Sequence, residues 1–188
     1  NNTLVGRDAG GAATIGGLNV AIGKDALKSD TIGDRSTAIG ASALFSQVMD
    51  SDNEETKNVG VGLNAGYYNV TGKSNTYIGH QSGYGASGQS NSGNTSVGTD
   101  ALKAVTTGGE NVAVGNASGD ALTDGTHNTF IGSYAGSTTT SVVGAVAIGQ
   151  GAMESGNATT AANGTVAIGR NSLTAITSGA GNTAVGYK

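Results

Sequence analysis

The sequence predicts an all-β solenoid, a narrow flattened roll in which one short strand recurs in every repeat and stacks on its neighbours. Three observations carry that reading. A five-residue phrase, Asn-Thr-small-Ile-Gly in its commonest form, returns eleven times along 188 residues. Its closing glycines stand at 6, 23, 40, 62, 79, 98, 115, 132, 149, 169 and 186, and seven of the ten intervals are 17 residues. Composition agrees: 34 glycines with only 4 % aromatic residues cannot fill an ordinary core, so a thin core must be shared between adjacent repeats.

The phrase itself is a strand. In Ser36-Thr37-Ala38-Ile39-Gly40 or Asn128-Thr129-Phe130-Ile131-Gly132, β-branched residues alternate with a middle residue. Apolar residues do not recur at helical spacing, and glycine interrupts every turn. Alternation places Thr or Val and the following Ile or Val on one face, and the middle residue on the other. Burying the β-branched face predicts an interior ladder of Ile22, Ile39, Ile78, Ile131, Ile148 and Ile168. The middle residues, among them Ala21, Ala38, Gly60, Ser96, Ala113 and Ala147, then face outwards. A stripe that small lets three sheets approach around an axis. Leu4, Tyr77 and Phe130 on the same stripe make sense buried between subunits, so the expected assembly is a homotrimer.

A second phrase follows each closing glycine, a small residue and then Leu, Met or Gly, as in Ala26-Leu27, Ala101-Leu102 and Ala135-Gly136. Another glycine often falls ten residues after the first, as at Gly33, Gly72, Gly108 and Gly125. The period thus divides into about 10 + 7, which predicts two strands per coil. At about 4.8 Å per step, eleven strands make a rod on the order of 48 Å long. Residues 1–188 form a single repeat domain of about eleven coils, with insertions near 45–57, 84–93 and 154–164 where the interval exceeds 17. The pattern runs to both ends, which reads as a segment of a longer fibre.

Several chemistries are excluded. There is no Cys for a nucleophile or thiolate site, and no disulfide. His80 and His127 lie nearly three coils apart, too far to form a metal pair within one chain. Glycine clusters such as Gly10-Gly11 lack the Lys and following helix of a phosphate cradle. No enzyme, cofactor or metal site is expected. The net charge of −4 argues against nucleic acid. No apolar run is long enough to insert in a membrane. Hexapeptide acyltransferase solenoids space their anchors by six, whereas Ile22, Ile32 and Ile39 are spaced by 10 and 7. An ice-binding solenoid needs a regular Thr file. Thr3, Thr37, Thr76, Thr95, Thr129 and Thr183 share a site with Val20, Val59, Val112, Val146 and Val166, which reads as an interior site.

The phrases Asn19-Val20-Ala21-Ile22-Gly23, Ala145-Val146-Ala147-Ile148-Gly149 and Thr165-Val166-Ala167-Ile168-Gly169 resemble the head repeat of bacterial trimeric autotransporter adhesins. That resemblance covers the whole chain and implies a left-handed parallel β-roll, trimerised around its axis. Asn182 to Tyr187 is also similar to repeat arrays of phage tail fibres. The implied role is a structural and adhesive fibre segment at a bacterial cell surface or on a virion, mediating attachment to a host or other surface. The alternative is a ligand-binding module whose insertions recognise a glycan, cation or protein receptor. Its candidate recognition loop is Asp50, Asp52, Asn53, Glu54 and Glu55, since these side chains cannot be buried in a thin apolar roll.

Overall fold

A computed structural model of the chain describes residues 1–49 and 55–187. Eleven three-residue strands run parallel in one sheet in chain order: β1 Thr3–Val5, β2 Val20–Ile22, β3 Thr37–Ile39, β4 Val59–Val61, β5 Thr76–Ile78, β6 Thr95–Val97, β7 Val112–Val114, β8 Thr129–Ile131, β9 Val146–Ile148, β10 Val166–Ile168 and β11 Thr183–Val185. Register is kept through every insertion, so Thr37 pairs Val59 across the 22-residue interval as Val20 pairs Thr37 across the 17-residue one. The solenoid expected from the repeat is therefore present.

Two details differ from expectation. First, each coil gives the sheet only one strand. The second phrase forms a wall of turns instead, because residues two and four after the closing glycine take positive φ. Examples are Asp25 and Leu27, at 58° and 52°, and Asp100 and Leu102, at 57° and 50°. This wall is still bonded from coil to coil: the Leu27 N–H donates to Ala43 O and the Leu44 N–H to Ala65 O, both at 2.9 Å.

Second, inside and outside are exchanged. The middle strand residues form the core: Ala21, Ala38, Tyr77, Ala113, Phe130, Ala147 and Ala167 are fully buried. Ile22, Ile39, Ile78 and Ile131 remain 37–39 % exposed, and Ile148 and Ile168 are half-buried. Tyr77 and Phe130 thus lie within the subunit rather than between subunits, while Leu4, in the first coil, is 43 % exposed. A roll this thin has room inside for one side chain from each wall, and the two sizes compensate. Gly119 and Gly136 flank Phe130, and a Cβ on either would come within 2.8 Å of the ring. Gly66 and Gly83 flank Tyr77 in the same way. Where the strand offers Ala or Gly, the turn wall supplies Leu27, Leu44, Leu102 or Met153, all buried. Leu44 fills the space beside Gly60, where an added Cβ would lie 2.8 Å from its Cγ.

The closing glycines form a file of their own. Each has φ between 121° and 144°, a region that side chains avoid. A Cβ on Gly115 would also lie 2.6 Å from the carbonyl carbon and oxygen of Gly132 in the next coil. The Asn that opens the phrase is equally constrained. Asn111 Nδ2 donates to Gly125 O at 2.9 Å, and its Oδ1 accepts from the Asn128 N–H at 3.0 Å. Asn19, Asn58, Asn75, Asn94 and Asn128 repeat this double bond, bracing the strand against the segment that returns to it. Buried amides left unbonded would destabilise the roll, so the ladder accounts for the recurrence of Asn.

Candidate functional site

Two surfaces stand out. The first is the outer face of the sheet. Because the middle residues turn inwards, all flanking residues of the eleven strands turn outwards. One column reads Thr or Val at every step, from Thr3 to Thr183, and the other Ile or Val, from Val5 to Val185. No charged residue interrupts either column. At about 4.8 Å per strand the face is an uncharged, mostly apolar strip on the order of 500 Å² in area. The Val and Thr residues read as interior from the sequence thus sit on this outer surface.

The second surface lies on the turn wall, around the first two insertions. The position five residues after the closing glycine carries Lys28, Phe45, Tyr67, Tyr84 and Lys103 in five consecutive coils. The Phe45 and Tyr67 rings are stacked, with centroids 4.8 Å apart and planes 1° from parallel. Tyr84 continues the stack at 5.4 Å from Tyr67. Tyr68 stands at 77° to Tyr67 and 79° to Tyr84, with centroids at 4.6 and 5.1 Å. Lys28 Nζ lies 5.8 Å from the Phe45 centroid. Both terminal lysines are paired: Lys28 with Asp25 at 2.8 Å and Asp8 at 3.6 Å, Lys103 with Asp100 at 3.3 Å. The Lys28 ammonium holds the Asp25 carboxyl below its ordinary range. Burial and the neighbouring Tyr68 push the Tyr84 phenol up.

Beneath this corner the interior is polar. Asp30, Gln47, Asn69 and Asn91 are buried in successive coils. Gln47 Nε2 donates to Asp30 Oδ2 at 2.7 Å, and the Gly33 N–H to Asp30 Oδ1 at 2.9 Å. Tyr77 Oη donates to Asn91 Oδ1. In the next two coils the equivalent place is apolar, with Val105 and Leu122 buried, before buried Thr139 makes it polar again. The first two insertions, the polar interior and the aromatic stack therefore fall in one stretch of the rod.

Of the recognition loop expected from the sequence, Asp50, Asp52, Asn53 and Glu54 lie outside the described residues. Glu55 is described: it bridges to Asp34, pairs with Arg35, and pairs with Lys57 at 2.5 Å. The second insertion presents Ala86, Ser87, Gly88 and Gln89 to solvent. The third does not simply project, as a loop longer than the period was expected to. It contains a 3-10 turn, Thr160–Ala162, and buries Ala158 and Ala162 against the core. His127 pairs with Glu110 at 2.6 Å beside a small polar cleft of about 290 Å³. A cleft of about 660 Å³ lies at the last coil, lined among others by Leu173, Ile176 and Val185. Among the described residues no group of three or more His, Asp or Glu is placed to hold a metal ion, and no helix is long and apolar enough to cross a membrane.

The aromatic corner was missed from sequence because its members are 22 and 17 residues apart. Counting five from each closing glycine would have aligned them. Comparison of the chain with family models, curated proteins and solved structures found no match.

Proposed function

We propose that this chain is a structural and adhesive fibre segment, a homotrimeric rod outside the cell that spaces or presents an attachment surface. The observation that carries the reading is the outer sheet face: twenty-two β-branched, uncharged side chains in two unbroken columns. A strip of this size is at the upper end of what a lone soluble protein exposes. A second copy of the same chain is its natural partner, since every row offers one Thr or Val and one Ile or Val. The resemblance to trimeric adhesin heads sets the number at three. Subunits would thus meet through the Ile/Val and Thr/Val columns, not through the Ala stripe. The trimer would carry a charge of about −12, three times −4, which favours a dispersed rod.

Sedimentation or light scattering tests the assembly. A mass near 55 kDa, three times 18.2 kDa, is expected, and a mass of 18.2 kDa would refute it. Ile131→Asp gives a second test. Ile131 is 39 % exposed in the isolated chain. The variant should therefore keep its far-ultraviolet spectrum and lose the trimer.

A second reading concerns the same face. The outward Thr file, interrupted by Val at five of eleven steps, is a flat regular array of the kind an ice-binding solenoid needs. Thermal hysteresis by a monomeric chain would favour it. A trimer without hysteresis would favour the fibre.

A further inference from the structure

The aromatic corner has no counterpart in the rest of the roll. The chain has six Tyr and two Phe. Two of the eight, Tyr77 and Phe130, fill the core. Four of the remaining six gather in three consecutive coils. Stacking along the axis uses both faces of Tyr67, one against Phe45 and one against Tyr84. Tyr68 can therefore meet Tyr67 only at its ring edge, and its near-perpendicular plane covers the edges of Tyr67 and Tyr84 together. One face of Tyr68 is occupied by those edges. Tyr68 itself is half-buried, and the residues at its position in the adjacent coils are small: Ser46 before it and Gly85 after it.

We propose that this corner is a carbohydrate-binding subsite, in which the half-buried Tyr68 stacks on the C–H face of a neutral pyranose unit. Aromatic rings with one apolar face and a hydroxyl tip suit a ligand that is itself apolar on one side and polar at its rim. The phenol groups of Tyr67, Tyr68 and Tyr84 supply donors and acceptors for sugar hydroxyls. Charge selects the neutral class. Among the described residues, the ammonium groups at both ends of the column already face Asp25, Asp8 and Asp100, which lessens the attraction of a uronate or sialate. The site lies on the turn wall, away from the strand face, and a trimer would present it three times, raising avidity without new contacts. The inference specifies the ligand class of the attachment role proposed above and does not depend on how subunits meet.

The full chain would be applied to an array of neutral and acidic oligosaccharides, and then titrated with the neutral hexaoses cellohexaose, maltohexaose and mannohexaose. The chain has no Trp, so tyrosine emission reports directly on a set of six residues, three of them at this corner. Binding to at least one neutral glycan is expected, with a change in emission. Tyr68→Ala should weaken it at least tenfold, while Tyr68→Phe retains most of it. Tyr134→Ala, an exposed tyrosine elsewhere, should leave it unchanged. Circular dichroism and molecular mass confirm that each variant folds and assembles as the parent does. Binding to no neutral glycan, binding confined to acidic ones, or undiminished binding by folded Tyr68→Ala would each overturn the proposal. A correct trimer mass alongside such a failure would leave the fibre reading standing.

Discussion

The size exchange across the core permits a swap that transplants one coil type onto another. Phe130 is fully buried, and removing its ring by Phe130→Ala should destabilise the roll by about 3–5 kcal/mol. For a domain of this length that lowers Tm by roughly 6–20 °C. Gly136→Leu alone should also destabilise, since its Cβ would lie 2.8 Å from Phe130 Cδ1. Combined, the two changes recreate the pairing already used where buried Leu44 shares a core cluster with Ala38 and lies beside Gly60. The left-handed backbone is no obstacle: Gly136 has φ 65°, and Leu102 tolerates 50°. Adding Gly119→Leu completes the exchange, because Phe130 occupies the space of two leucines. The double variant should recover about 2 kcal/mol of the loss, seen as a coupling energy of that size in urea or thermal melts. Additivity within about 0.5 kcal/mol would refute the compensation argument.

Asn111→Ala removes the acceptor of the buried Asn128 N–H and the donor to Gly125 O, so a cost of about 1–3 kcal/mol is expected in chemical melts; an unchanged midpoint would discount the amide ladder. Burial raises the Asp30 carboxyl above its ordinary value of 3.8, against the bonds from Gln47 and Gly33. The folded chain therefore holds that proton more readily than the unfolded one. The resulting stabilisation is complete below 3.8 and is lost as pH rises through the folded value. The difference in Tm between the parent and Asp30→Asn should grow in the parent's favour as pH falls from 7 towards 4, and a difference independent of pH would contradict the assignment.

The period, the strand and the closing glycine were all legible, because each repeats and each has a local physical cause. Which strand face points inwards was not. Hydrophobicity alone favours burying Ile131 over Ala113, but a core one side chain deep rewards fit before hydrophobicity. The deciding signal was present in residue size: glycine at 119 and 136 beside Phe130, leucine at 44 beside Gly60. The turn wall was hidden for another reason. Leu27 and Leu44 at positive φ run against the usual preference of leucine, and only bonding from coil to coil holds them there. The candidate site was half visible. Irregular intervals pointed to the right coils, while the rings that distinguish them depended on which positions share a column.

In-register stacking also creates an ambiguity that the large core residues resolve. Neighbouring coils are nearly interchangeable, so a chain displaced by one whole coil would still match glycine to glycine and Asn to Asn along most of its length. Tyr77 and Phe130 are the exceptions, each packed between two glycines where the adjoining pairs of coils carry a Leu or Met. They act as index marks on an otherwise uniform scale, penalising a folding intermediate that starts one notch out of step. A rod made uniform by converting both sites to the Ala–Leu pairing should lose that penalty, and should refold with a larger fraction of slow, misaligned molecules.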